Sequence, residues 1–87
     1  MDPVERAIVR ARRLRQRGEL RRAVVALREA TAVDEWSPRS WALLGALLRQ
    51  AGRSVEAAAA FRHARWLRLR AGDPARAQVL ERLLAEM

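Results

Sequence analysis

Few side chains in this sequence could do covalent chemistry: one histidine, His63, three serines, Ser37, Ser40 and Ser54, and ten scattered carboxylates, with no cysteine, lysine or tyrosine. Nucleophilic catalysis needs a hydroxyl or thiol beside a base, and a metal centre needs several ligands at workable spacing. Neither pattern occurs. The serines stand where cap and turn residues belong, and His63 falls on the outward side of "FRHARWLRLR", where it is expected in solvent. No catalytic residue, metal or cofactor is expected, and the chain is read as a non-enzyme.

The remaining chemistry belongs to the guanidinium group. Eighteen arginines face ten Asp and Glu, for a net charge of +8. Arginine pairs bidentately with carboxylates and phosphates, so the partners to consider are acidic protein segments, nucleic acid and anionic surfaces. The absence of lysine needs no physics, since a G/C-rich bacterial coding sequence biases toward Arg and Ala alike.

The elements that position these arginines read as helices throughout, so the fold is expected to be all-α and residues 1–87 to form a single domain. Ala, Leu, Arg and Glu dominate, no stretch alternates as a strand does, and breaks fall at Gly18, "DEWSP", Gly52 and "AGDP". Five helices are predicted: Pro3–Arg17, Glu19–Val33, Pro38–Ala51, Ser54–Arg70, and a last one from Asp73-Pro74. Asp2, Ser37 and Asp73 precede prolines as N-caps. Short connections make neighbouring helices antiparallel, so the units are helical hairpins.

A shift of 34 residues superimposes the two hairpins: Leu14 on Leu48, Gln16 on Gln50, Gly18 on Gly52, Ala23 on Ala57, Leu27 on Phe61, and Ala30 on Ala64. The second unit carries Trp41-x2-Leu44-Gly45-x2-Leu48, then Gly52, then Ala57-x3-Phe61-x2-Ala64. In period and motif it resembles the tetratricopeptide repeat family. Residues 4–37 form a degenerate first repeat, with Ala7, Arg10 and Ala11 in place of Trp, Leu and Gly. Residues 38–71 form the second, and residues 72–87 resemble the family's C-terminal capping helix. The closing Pro is replaced by Glu35 and Leu69, so the fourth helix is expected to run on through "WLRLR".

The resemblance implies antiparallel hairpins stacked as a short superhelix, and a protein–protein interaction module working as an adaptor or scaffold. In that family the first helix of each hairpin lines a concave groove. Here the implied floor is Ile8, Val9, Ala42, Leu43 and Ala46, with Arg12, Arg39 and Arg49 around it, suited to an acidic, amphipathic segment of a partner. The basic clamp by which some members hold a C-terminal carboxylate is missing, with Ile8, Arg12, Leu43, Asp73 and Ala77 at its positions.

Three features stand apart from the groove. Arg6, Arg10, Arg13 and Arg17 make a stripe along one side of the first helix, which reads as a solvated face, with an acidic protein surface, nucleic acid or a membrane surface as alternatives. Trp66, between Arg62 and Arg70, is either packed under the last helix or offered as an interface anchor. The face formed by Val79, Leu80, Leu83, Leu84 and Met87 is broader than one helix needs, so self-assembly into a homo-oligomer is a further possibility. No run is long enough to span a membrane and no targeting segment is recognisable, which makes the cytoplasm the expected compartment.

Overall fold

Asp2, Ser37 and Asp73 each precede a proline, and each caps a helix. In the computed structural model, which describes residues 1–87, they introduce α1 (Pro3–Gln16), α3 (Pro38–Gln50) and α5 (Pro74–Ala85). Asp2 accepts from the Glu5 N–H at 2.9 Å, Ser37 from the Ser40 N–H at 3.3 Å and Asp73 from the Arg76 N–H at 3.2 Å. Each cap satisfies one of the amide donors that a helix start leaves without a partner. The intervening α2 (Leu20–Val33) and α4 (Ser54–Arg70) start without a side-chain cap, at Glu19 and Arg53. The five expected helices are present with ends within a residue, and α4 does run on to Arg70.

One turn is used three times. Gly18, Gly52 and Gly72 adopt φ of 78°, 79° and 74°, and the next residue's N–H reaches back to the carbonyl five residues earlier. These bonds are Glu19 to Leu14, Arg53 to Leu48 and Asp73 to Arg68, each 2.9 Å. This closure needs a left-handed residue, which glycine supplies without a Cβ clash. The α2–α3 connection is different. Asp34 accepts from the Trp36 N–H at 3.0 Å, and Trp41 Nε1 donates to the Glu35 carbonyl at 2.9 Å, which ties the loop to α3.

The helices pack in chain order, α1 on α2, α2 on α3, α3 on α4 and α4 on α5, within 32 × 29 × 17 Å. Eight of the eighteen buried apolar residues are alanines, so the helices approach closely. The tightest approach is at Gly45, where a Cβ would lie 2.7 Å from carbons of the buried Phe61 ring. The main core draws on α1 to α4; Phe61, Ala64 and Leu80 form a smaller one, and Trp41 touches both.

Two ion pairs stitch the first hairpin to the second on opposite sides. Glu5 of α1 pairs with Arg39 of α3, and Glu56 of α4 pairs with Arg28 of α2. The hydrogen bond from Arg28, with another from Arg53, holds the Glu56 carboxyl below the usual glutamate range. Asp73 is likewise lowered, first by the Arg76 side chain and then by its backbone N–H.

Two expectations are corrected. His63 is half-buried rather than solvated, its ring centroid 4.3 Å from that of Trp41 and 5.8 Å from that of Trp66. Trp41 sits at the helix junction, so at the level of His63 the side of α4 expected in water is partly covered by α3. The broad α5 face is largely used inside the molecule: Leu80 is buried, and Leu83 and Leu84 pack with it against Phe61. Only Val79 and Met87 of that face stand exposed, at 52% and 41%.

Candidate protein-binding groove

Residues three and four apart share one side of a helix. Along α1 such a row is Glu5, Ile8, Arg12 and Arg15; along α3 it is Arg39, Leu43 and Ala46. The fold sets these rows side by side. The Glu5–Arg39 pair closes one end. Beyond it lies a pocket of about 40 Å³ lined by Ile8, Ala11, Arg12, Arg15, Leu27, Leu43, Ala46 and Leu47. Six of those eight residues are apolar, and the two that are not are arginines without a carboxylate in reach. The pocket has room for the end of one apolar side chain, with two guanidiniums at its rim.

The residues expected in the groove separate into those that line this pocket and those held elsewhere. Ile8 forms the bottom and is 1% exposed, Leu43 is half-buried, and Ala46 and Arg12 are exposed at the edge. Val9 is half-buried and borders a different hollow, on the outward side of α1. Ala42 is half-buried against the Phe61 cluster. Arg39 is engaged by Glu5, and Arg49 lies 3.7 Å from Glu86 at the end of α5. These pairs are exposed and therefore exchangeable, but a partner must displace them. Arg15 was not among the expected residues, although its spacing of three from Arg12 places it on the same side of α1.

Trp66 is not covered by the last helix. It is 45% exposed and packs beside Trp36 of the α2–α3 loop, itself 57% exposed, with ring centroids 6.0 Å apart and planes tilted by 33°. Arg70 lies over both rings, at 4.9 Å from the Trp66 centroid and 5.4 Å from that of Trp36. With His63 and Trp41 these rings form a continuous aromatic file across α3, α4 and the loop. The motif positions foreshadowed Trp41 but not the file, because Trp36 and Trp66 are thirty residues apart and meet only through the tertiary fold.

No three His, Cys, Asp or Glu side chains converge as ligands for a metal ion. No helix is long and apolar enough to cross a membrane. What the pocket between α1 and α3 can do is bury an apolar side chain while presenting guanidiniums to carboxylates beside it. No family model matches the sequence, and no curated protein matches it either.

Proposed function

We propose that this chain is a small tetratricopeptide-repeat-like interaction module that binds an acidic, amphipathic segment of a partner protein between α1 and α3. The observation that carries the proposal is the pocket lined by Ile8, Leu43, Ala46 and Leu47 with Arg12 and Arg15 at its rim, both lacking an intramolecular carboxylate. Apolar burial provides affinity and unpaired guanidiniums orient acids, which is how amphipathic segments are held in grooves.

The repeat architecture has its own support. Glu5 and Arg39 stand 34 residues apart and meet face to face, as equivalent positions of adjacent repeats do. The glycine turns at Gly18 and Gly52 repeat at the same interval down to the same backbone bond. On this architecture residues 4–37 and 38–71 are the repeats and α5 is the cap.

Binding is measured by fluorescence anisotropy with a labelled helical peptide that carries Leu on one face and Glu on its flanks. A peptide with Lys for each Glu serves as control. The acidic peptide is expected to bind, and the Arg12→Glu/Arg15→Glu variant to bind it at least about tenfold more weakly with unchanged helicity; at about 1.4 kcal/mol per tenfold, that is the scale of one charge-assisted hydrogen bond. Equal binding by the variant, or equal binding of the Lys peptide, contradicts the proposal.

A further inference from the structure

The charge of this molecule is concentrated at one end. Residues 6–22 hold eight arginines against one glutamate, whereas the other seventy residues hold ten arginines against nine carboxylates. Nearly all of the net charge therefore sits on α1, the first glycine turn and the start of α2. All eight of these arginines are exposed. Only Arg22 has a carboxylate partner, Glu19 at 3.0 Å.

The fold gathers five of them around one feature. Arg6, Arg10, Arg13, Arg17 and Arg22 line an open hollow of about 510 Å³ on the outward side of α1 and α2, with no carboxylate in its lining. Arg10 and Arg22 also border a neighbouring hollow with Arg21, so the basic surface reaches the start of α2 and ends where Val25 and Glu29 complete that lining. Along α1 the arginines from Arg6 to Arg17 extend about 16 Å at 1.5 Å per residue. Like charges this close repel one another, and of the five only Arg22 has a carboxylate beside it. The other four are left to be compensated by an anion from outside.

We infer that this arginine-lined hollow is a second binding surface, distinct from the α1–α3 groove, and that it takes the phosphate backbone of a nucleic-acid duplex without reading its sequence. Three observations select this occupant. The apolar surface in the lining is scattered, from the exposed Met1, the half-buried Val9 and the edge of Leu14, and forms no enclosed pocket for a side chain like that between α1 and α3, so an acidic peptide would be held here chiefly by charge. A membrane surface needs an apolar anchor, and the apolar side of α1, Ile8, Ala11 and Leu14, is buried in the core. A duplex presents a fixed charge about every 1.7 Å and releases counterions on binding, so an array of guanidiniums alone suffices. The aromatic file lies outside the lining, so no base-stacking platform serves this surface, and sequence preference is not expected.

The test is anisotropy of two labelled 20-base-pair duplexes of unrelated sequence across about 50 to 200 mM salt, with polyglutamate as competitor. Both duplexes are expected to bind alike, with log K falling against log salt at a slope near −4 to −5, since each phosphate neutralised contributes about −0.9. In Arg10→Gln/Arg13→Gln/Arg17→Gln the slope is expected to flatten by about 3, and in the corresponding Lys variant to be kept. Arg62→Gln/Arg70→Gln, on a different face, is expected to leave the slope unchanged. No binding at about 50 mM salt overturns the inference, as does a slope that Arg62→Gln/Arg70→Gln flattens equally. Polyglutamate competing as well as unlabelled duplex at equal charge also overturns it and assigns the surface to an acidic protein.

Discussion

At the scale of single residues, the contact between Gly45 and Phe61 sets how closely α3 and α4 approach. An alanine at position 45 favours the helix by about 1 kcal/mol. Its Cβ, however, meets ring carbons at 2.7 Å, and Phe61, only 1% exposed, has nowhere to turn. Overpacking of this kind costs about 1–3 kcal/mol, which outweighs the propensity gain. Gly45→Ala is therefore expected to lower Tm by several degrees in a thermal melt, at about 4–8 °C per kcal/mol for a domain of this size. Adding Phe61→Leu should recover part of that loss, because the two substitutions share one contact. A higher Tm for Gly45→Ala alone would contradict the packing described. This pair was legible in the sequence as small and large partners of one motif. The ion pairs of Arg39 and Arg49 were not, because Glu5 and Glu86 lie 34 and 37 residues away and only the fold brings them near.

Among the elements, helix starts and turns follow from local chemistry, so they were readable: a capping residue before proline opens three helices, and a left-handed glycine closes three turns. Which sides of the helices meet is a tertiary matter, and there His63 and the α5 face were misjudged. Beyond the shared core, the polar link between α2 and α4 is Glu56 with Arg28, and Arg53 beside it holds the same carboxylate. The Glu56 carboxyl is lowered in the native state, so its contribution is present above the unfolded-state value and is lost as pH falls through the lower native one. Asp73 at the α4–α5 turn follows the same sign. Wild type is thus expected to lose stability as pH falls through and below the ordinary carboxylate range. In Glu56→Gln stability at pH 7 should be lower and its fall on acidification smaller, as read from urea midpoints at pH 7 and pH 3. Identical falls in the two proteins would show that this carboxylate is not linked to folding.

For the whole molecule, five helices packed in sequence leave three distinct faces. The α1–α3 side carries the apolar pocket with Arg12 and Arg15, the outward side of α1 and α2 carries the concentrated charge, and α4 with the α2–α3 loop carries the Trp36–Trp66–Arg70 patch. Composition announced the net charge but not this division, because neighbouring arginines of one helix point to different surfaces. Arg12 and Arg13 are adjacent in the chain and line different hollows. The proposed module places the acidic segment on the first face alone. Backbone amide shifts of the isotope-labelled protein, titrated with the acidic amphipathic peptide, test that placement residue by residue. The largest changes are expected at Arg12, Arg15, Leu43, Ala46 and Leu47, with Trp36, Trp66 and Arg70 little moved. Changes centred on Trp36 and Trp66, or confined to Arg6, Arg10, Arg13 and Arg17, would contradict the account.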